Sequence, residues 1–314
     1  MSSSPVLICG SIAFDTITLF EGHFKEHILP ENIKSLSISF LVPTMRKEFG
    51  GCAGNIAYSL KMLGGNPIPV ATVGKDATDY LHYFEQLGIR TDGIKIISDA
   101  FTAQCHITTD LDGNQLAAFH PGAMSASATN TVEITDAAWA IVAPDAKEGM
   151  FAHAERLHQQ GIPFIFDLGQ AMPLFEQQDL ERMIGLAQAI TVNDYEASII
   201  AQRVGKRIEE LSHCVEAIVV TKGAEGASLY IKGEETHIPP VKAEKICDPT
   251  GCGDAHRGGL LYGLTQGWPW YESACLASLM GTLKIAVEGP QNYHYSREEL
   301  AQKLEDAYGI GLLK

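Results

Sequence analysis

The segment from Asp248 to Asp254 has the residue types and the spacing to transfer a phosphoryl group to an alcohol. It reads Asp-Pro-Thr-Gly-Cys-Gly-Asp and precedes a helix-compatible pattern from Ala255 to Gly267. Glycines just before a helix let backbone amides turn towards a bound anion, and Asp254 at the helix start could accept a proton from an attacking hydroxyl. The alternative for Asp254 is a structural N-cap, because acidic N-caps are common.

Polar residues in the amino-terminal part of the chain could hold a polyol acceptor. Asp15 follows the first apolar run by a few residues, and its carboxylate could accept hydrogen bonds from paired sugar hydroxyls. A surface-loop aspartate is the alternative. Gly50 and Gly51 allow close backbone approach, and Asn55, one turn into the next predicted helix, offers both a donor and an acceptor. Helix capping is the competing role for Asn55.

Two further segments follow predicted strands and could serve a nucleotide. Asn193 and Glu196 are spaced to lie on one side of a first helical turn, where they could hold a hydrated Mg²⁺. A capping box explains the same pair. Thr221, Lys222 and Gly223 offer a hydroxyl, an ammonium and a flexible turn that suit phosphates or ribose.

Several other catalytic motifs are absent from the sequence. It contains no P-loop, no G-x-G-x-x-G fingerprint, no H-E-x-x-H and no G-x-S-x-G. These absences weaken the interpretations as a P-loop ATPase, a nicotinamide dehydrogenase, a zinc protease or an α/β-hydrolase.

Alternating apolar runs and helical patterns predict the elements that must position these residues. The predicted strands are Val6–Cys9, Ile68–Val73, Ala140–Ala143, Phe164–Phe166, Ala189–Val192 and Ala217–Thr221. The predicted helices include Ile56–Leu63, Ala146–Gln160, Asp194–Arg203, Tyr271–Val287 and Ser296–Tyr308. Such alternation predicts an α/β fold with a mainly parallel central sheet covered on both faces. The polar residues above would then meet at the carboxyl ends of its strands.

Other segments alternate with a period of two. They are Ser35–Phe40 and the hairpin of Thr102–Asp110 with Gln115–Phe119. We interpret them as a small sheet that projects over a ligand, and an ordinary edge hairpin is the alternative. A further hairpin, Gly226–Ile231 with its turn at Lys232 and Gly233, is interpreted as structural.

Composition limits the partners and the compartment. The 314 residues are 46% hydrophobic and carry a net charge of -15, which opposes binding to nucleic acid or to an anionic membrane. The chain shows no signal sequence and no membrane-spanning stretch, so we expect a cytoplasmic protein. Its seven cysteines contain no C-x-x-C pair and predict reduced, mostly buried thiols. Cys252 is the expected exception, since the glycine turn could expose it.

In this order, the motifs resemble those of the ribokinase-like family of sugar and nucleoside kinases, also called the phosphofructokinase-B family. The resemblance runs from Gly10 to about Asn292, and its most specific part is the Asp-x-Thr-Gly-x-Gly-Asp signature at 248–254. It implies a three-layer α/β/α fold with a mainly parallel central sheet and a small projecting β-sheet lid. Residues 1–314 would form one kinase domain, and the lid would come from about residues 15–48 and 101–121.

The resemblance also implies a role for each motif residue. Asp254 would be the base, and the amides of Gly251, Cys252, Gly253 and Asp254 would form an anion hole. The acceptor would bind to Asp15, Gly50, Gly51, Asn55, Phe119 and His120, and ATP to Asn193, Thr221, Lys222, Gly223, Gln291 and Asn292. Asn193 and Glu196 would organise Mg²⁺, and Asp248 would be a further metal-binding residue. The family alone implies a monovalent cation such as K⁺ beside Asp248 and the 286–292 loop.

Some positions depart from the commonest family pattern and point to a branch. Cys252 stands where alanine is usual, Pro249 precedes the threonine, and His256 replaces a frequent aromatic residue. Together with the segments 119–123 and 289–292, these residues resemble bacterial adenosine or nucleoside kinases. A purine could be sandwiched by aromatic and sulfur side chains, or these could pack the lid: Phe14, Phe40, Met45, Phe119, His120 and Met124.

The sequence therefore predicts an ATP-dependent kinase that phosphorylates the primary hydroxyl of a nucleoside, adenosine to AMP. A sugar kinase for ribose or fructose is the alternative within the family, and a non-catalytic nucleoside-binding regulatory protein is the alternative outside it. Unpaired lid edges also leave a homodimer open.

Overall fold

A computed structural model of the protein describes residues 4–28, 37–131 and 133–313. The strands are β1 (Pro5–Cys9), β2 (Ala13–Leu19), β3 (Thr44–Gly50), β4 (Asn66–Gly74), β5 (Ile94–Ile97), β6 (Ala103–Thr109), β7 (Gln115–His120), β8 (Trp139–Val142), β9 (Phe164–Asp167), β10 (Ala189–Asn193), β11 (Ala217–Thr221), β12 (Ala227–Ile231) and β13 (Glu234–Ile238). The α-helices are α1 (Phe24–His27), α2 (Cys52–Met62), α3 (Thr78–Leu87), α4 (Lys147–Gln159), α5 (Gln177–Leu186), α6 (Asp194–Val204), α7 (Ile208–Leu211), α8 (Cys252–Thr265), α9 (Trp270–Ile285) and α10 (Arg297–Tyr308). Short 3₁₀ helices cover Gly122–Thr129, Gly169–Leu174 and Gly223–Glu225.

The large sheet has nine strands in the order β13-β12-β11-β10-β9-β8-β1-β4-β5. Every pair from β11 to β5 is parallel, and only the hairpin β12–β13 adds antiparallel pairs at one edge. The predicted mainly parallel sheet is thereby confirmed. Its apolar runs form strands because both faces of the sheet are buried under helices.

Two separate hydrophobic clusters give the molecule its three layers. On one face, Val6 and Ile8 of β1 join a cluster with side chains of α2, α8, α9 and α10. On the other face, Leu7 and Cys9 join a cluster with side chains of α4, α5 and α6. The alternation within β1 therefore sends successive side chains into opposite layers of the core.

A second sheet of four strands, in the order β3-β2-β6-β7, stands apart from the large one. The predicted hairpin forms β6 and β7. The predicted alternating strand at Ser35–Phe40 is wrong for residues 37–40, which are irregular. Residues 35–36 lie outside the described residues. The strand of that region is β3 instead, which pairs with β2 over its whole length.

The cysteines and the helices bear on two further expectations. All seven cysteines are free thiols, but only Cys9, Cys52 and Cys275 are buried, so the expectation of mostly buried thiols is wrong. Cys214 and Cys247 are exposed, whereas Cys252, the expected exception, is half-buried like Cys105. Within the described ranges, no helix combines the length and the apolar character needed to cross a membrane.

Candidate active site

The turn before α8 is shaped by Gly251, which is the N-cap of that helix. Gly251 has a φ of +80°, and a Cβ atom there would lie 2.8 Å from Cβ of Pro290, so both the backbone conformation and the space require glycine. The amide of Cys252 donates to the carbonyl of Pro249 at 3.1 Å. The anion hole predicted for all four amides is therefore reduced to those of Gly251, Gly253 and Asp254, at the start of a 14-residue helix.

Asp254 lies in the first turn of α8 and contacts the predicted acceptor side of the molecule. Its Oδ2 accepts a hydrogen bond from Nδ2 of Asn55 at 2.8 Å. Burial raises the pKa of Asp254 to about 6, against the lowering effect of Asn55 and the Arg257 guanidinium. The carboxyl group is thus largely ionised at neutral pH and has a pKa close to the range that suits a general base.

A chain of hydrogen bonds continues from Asn55 into the core. Oδ1 of Asn55 accepts from Nε2 of Gln291 at 2.9 Å, and the same Nε2 lies 2.7 Å from the hydroxyl oxygen of Tyr80. The Tyr80 hydroxyl donates to the carbonyl of Gly50 at 2.7 Å. Both polar ends of the Asn55 side chain are therefore fixed, and its Nδ2 is aimed at Asp254. Gly51, rather than Asn55, caps α2.

Asp15 is a strand residue of β2, not a loop residue. The register places Glu48, Asp15, Cys105 and Phe119 opposite one another in a row across the small sheet. Residues that pair in this way share a face of the sheet. Burial, together with the nearby carboxylates of Glu48 and Asp248, raises the pKa of Asp15 to about 6. A Cβ atom at Gly50 would lie 2.5 Å from Oδ2 of Asp15, so that glycine is needed for their close approach.

The two aromatic residues predicted at the end of β7 lie on opposite faces of the small sheet. Phe119 is in the Asp15 row and is 54% exposed. His120 pairs with Gln104, which pairs with Phe14, on the other face. Phe14 is buried in the core against Tyr80, so it packs rather than lines a binding face. The structure therefore brings Phe119, and neither His120 nor Phe14, to the face of Asp15.

The aromatic and sulfur side chains near the other end of the small sheet do not gather into one site. Phe40 packs in a separate cluster with Phe20 and Phe24. Met45 is exposed on the His120 face, where it pairs with Thr18. Met124 is half-buried in a 3₁₀ helix.

A cavity of about 450 Å³ lies at the carboxyl ends of the parallel strands. It is lined by Cys52, Pro144, Asp167, Gly169, Gln170, Asn193, Asp194, Tyr195, Glu196, Thr221, Gly223, Gly251, Gly253, Asp254 and Arg257. The predicted base, two glycines of its turn and four of the predicted nucleotide and metal residues thus share one cavity. This is the edge at which open α/β sheets bind ligands.

Asn193 and Glu196 form a capping box at the start of α6. Oδ1 of Asn193 accepts from the amide of Glu196 at 2.7 Å, and Oε2 of Glu196 accepts from the amide of Asn193 at 2.9 Å. Burial raises the pKa of Glu196 against the lowering effect of its bonds to Asn193. Both side chains nevertheless line the cavity, together with the exposed Asp194.

The residues after β11 divide between the cavity and the surface. Thr221 and Gly223 line the cavity, whereas Nζ of Lys222 lies 3.3 Å from Oε1 of Glu235 on β13. The Lys222 ammonium is therefore directed to the neighbouring hairpin. Its predicted contact with a nucleotide would require that pair to separate.

Arg257 and Asp167 form a buried ion pair in the wall of the cavity. The guanidinium donates two hydrogen bonds of 2.9 Å to the two carboxylate oxygens, and both side chains are nearly inaccessible to solvent. Neither residue is among those predicted from the sequence. Asp167 ends β9 and could have been found by the rule that selected Asn193, but its partner lies 90 residues away in the sequence.

Asp248, Gln291 and Asn292 lie outside the cavity lining. Asp248 accepts hydrogen bonds of 2.9 Å from the amides of Thr250 and Gly289. Partial burial acts to raise the pKa of Asp248, but these bonds outweigh it and leave the pKa below its usual value. Gln291 adjoins Asn55, and the exposed Asn292 bonds to Glu48. These positions place Gln291 on the acceptor side and give no support to the ATP contacts predicted for it and Asn292.

Comparisons with known proteins agree with this geometry. A family model described as pfkB family carbohydrate kinase matches residues 26–296. The nucleoside kinase of Burkholderia thailandensis in complex with inosine is 50% identical, with a TM-score of 0.88 over 97% of this chain and 98% of that chain. The same enzyme has also been solved in complex with ADP-inosine.

More distant relatives extend the similarity to two kinds of kinase. The nucleoside kinase of Methanocaldococcus jannaschii is 26% identical over 277 residues, which cover 88% of this chain and 91% of the relative. The ribokinase of Lactococcus lactis subsp. lactis is 26% identical over 266 residues, which cover 82% of this chain and 86% of the relative.

Proposed function

Because this chain belongs to the pfkB family of carbohydrate kinases, we propose that it phosphorylates the primary hydroxyl of a purine nucleoside. The family makes it an ATP-dependent phosphotransferase with an alcohol acceptor, which acts on a nucleoside or a sugar. Adenosine is the acceptor that the sequence favours, and inosine is the nucleoside bound by the relative with 50% identity. The observation that carries the proposal is the position of Asp254, which lines the cavity and bonds to Asn55 on the acceptor side.

The proposed step is an in-line transfer with Asp254 as the base. The primary hydroxyl loses its proton to Asp254 as its oxygen bonds to the terminal phosphorus of ATP, and the bond between that phosphorus and the bridging oxygen of ADP breaks. The amides of Gly251, Gly253 and Asp254 would bind the charge on the transferring group. Positioning and electrostatics supply most of the rate in such reactions.

The residues at the start of α6 fit a hydrated Mg²⁺ that accompanies ATP. Asn193, Asp194 and Glu196 line the cavity and carry side-chain oxygen atoms, and Mg²⁺ prefers oxygen ligands while keeping several of its waters. When bound, the ion would neutralise charge on the phosphates. We therefore assign Asn193 and Glu196 to this ion and leave out Asp248, which is not among the residues that line the cavity and accepts hydrogen bonds from Gly289 and Thr250.

The small sheet is proposed to cover the acceptor as a lid. Asp15 and Asn55 would hold the sugar hydroxyls, and Phe119, on the Asp15 face, would contact the base. Ile17 and Ile107 lie on that same face one pair further along, which makes it apolar enough for a purine. A homodimer stays a prediction, and the exposed edge strand β7 is the surface to test for it.

A panel of acceptors tests the proposal. ATP consumption and product identity would be measured with adenosine, inosine, ribose and fructose. We expect AMP or IMP to form, with kcat/KM higher than for ribose by about a hundredfold or more, since the burial of a base is worth roughly 3 kcal/mol. A higher kcat/KM for ribose would favour the sugar kinase. Nucleoside binding without ATP consumption would favour a regulatory protein.

A further inference from the structure

Lys284 has a fully buried ammonium group beside the glycine turn. The residue lies in the last turn of α9, and its side chain is 0% exposed. Its Nζ donates to the carbonyl of Asp248 at 2.8 Å and to the carbonyl of Val287 at 3.1 Å. Oδ2 of Asp248 lies 4.0 Å away. A buried charge requires such partners, and here they come from two segments that are far apart in the sequence.

The ammonium group of Lys284 joins the two segments that shape the glycine turn. Asp248 begins the signature that leads to Gly251, and Val287 begins the loop that carries Pro290, against which Gly251 packs. The amides of Cys247 and Asp248 also donate to the carbonyl of Ile285, so the end of α9 binds the backbone of the segment that leads into the glycine turn. Burial lowers the pKa of Lys284, while the neighbouring carboxylate of Asp248 favours its charged form.

This is the place at which the family resemblance implies a monovalent cation. Two carbonyl oxygens and a carboxylate are the oxygen ligands that K⁺ would use, but Nζ of Lys284 already bonds to both carbonyls. A second cation would compete for the same oxygens and would stand against a like charge. The residues present therefore do not fit a bound K⁺.

We propose that the ammonium of Lys284 is a built-in monovalent cation, which makes the active-site turn independent of K⁺. It holds the carbonyls of Asp248 and Val287 together in every molecule, whatever salt is present. The effect of Lys284 on turnover rests on the proposed kinase function. Its effect on the stability of the folded chain does not depend on that function.

The first test compares salts on the unaltered protein. Tm and the rate of nucleoside phosphorylation would be measured in KCl and in choline chloride at equal ionic strength. We expect no difference in either quantity, because choline is too large to enter the site and K⁺ is excluded from it. A Tm or a rate that rises with K⁺ over choline would overturn the proposal. Because Tm needs no substrate, this readout stands even where the proposed function fails.

The second test removes the ammonium. Lys284→Ala leaves the two carbonyls and the carboxylate around an empty space that K⁺ or NH₄⁺ could enter. We expect the variant to have a lower Tm in choline chloride and a rate lower by on the order of ten- to a hundredfold, since small displacements of a catalytic turn cost that much. KCl or NH₄Cl should restore part of both. A crystal grown with Rb⁺ should show anomalous density at this point in the variant and none in the unaltered protein.

The matched control is Lys303→Ala on α10. Lys303 pairs with Glu244 at the surface, so its loss should leave both quantities unchanged in every salt. In Lys284→Ala, a lowered Tm and rate that neither K⁺ nor NH₄⁺ restores would mean that Lys284 is only a helix-terminal contact. That result would overturn the proposal. If the variant does not fold, the salt comparison on the unaltered protein decides alone.

Discussion

Two carboxyl groups of the candidate site, Asp254 and Asp15, have pKa values raised to about 6. Burial is the first cause for both, and the two differ in their neighbours. Asn55 and Arg257 oppose the shift at Asp254, whereas Glu48 and Asp248 add to the shift at Asp15. In our account Asp254 acts in the chemical step and Asp15 in acceptor binding, so the two should separate in a pH profile.

We predict that protonation of Asp254 lowers kcat/KM tenfold for each pH unit below about 6. As the pH falls through that value, Asp254 gains a proton and can no longer accept one from the acceptor. The kcat/KM of the unaltered enzyme should fall more steeply, because Asp15 is protonated over the same range. In Asp15→Asn the extra steepness should vanish while the profile of kcat keeps its shape. A kcat/KM of Asp15→Asn that stays constant down to pH 5 would contradict the role of Asp254.

The residues of the candidate site could be predicted from the sequence, but the residues that they contact could not. Asp254, Asn55 and Asn193 could be selected because each belongs to a short motif beside a predicted strand or helix. Their long-range contacts could not be predicted, since the Asn55 to Asp254 bond spans 199 residues. Lys284 lies inside an apolar helical pattern and gives no local sign of its buried ammonium.

Among the elements, α8 is held to the end of β9 by the ion pair of Arg257 with Asp167. Breaking a buried pair by removing one partner leaves an uncompensated charge. We predict that Arg257→Met lowers the free energy of unfolding by about 3–5 kcal/mol, measured by denaturant titration. The matched control is Arg90→Met, since Arg90 pairs with Asp92 at the surface, and there the loss should be about 0–1 kcal/mol. Equal losses in the two variants would contradict this structural role.

The two faces of the small sheet allow a second matched pair. Phe119→Ala should raise KM for the nucleoside about tenfold or more, because burying a phenylalanine is worth about 1.5–3 kcal/mol and 1.4 kcal/mol is about tenfold in affinity. His120→Ala, on the opposite face, should leave KM nearly unchanged. Steady-state kinetics on the two variants measures the difference. A larger effect at His120 would show that the other face of β7 meets the acceptor.

Elements with strong apolar runs were predictable, and elements with mixed composition were not. The strand β11 has the bounds that the sequence predicted, because its alanine, isoleucine and valines are buried on both faces. The strand β3 reads Thr-Met-Arg-Lys-Glu-Phe-Gly and carries no such run, since only its last residue, Gly50, is buried. The helix α3 is not among the predicted helices, although its buried Tyr80 and Phe84 are spaced by four residues.

Across the whole molecule, the proposed donor and acceptor sites meet at Asp254. The cavity at the carboxyl ends of the large sheet approaches it from one side. A series of hydrogen bonds approaches Asp254 from the other side, and it links Asn55, Gln291, Tyr80 and Gly50, which lies beside Asp15. The mainly parallel topology could be predicted and accounts for the cavity. The order of strands in the small sheet could not, because its central pair, β2 with β6, joins segments about 90 residues apart.

Replacement of Asp254 by asparagine therefore tests the central claim most directly. Phosphorylated nucleoside would be measured at saturating ATP and acceptor, alongside the binding of each ligand. We predict a kcat lower by about two to four powers of ten with both ligands still bound, because the amide keeps the shape of the side chain but cannot accept the proton. A variant that turns over at nearly the normal rate would contradict the assignment of Asp254 as the base.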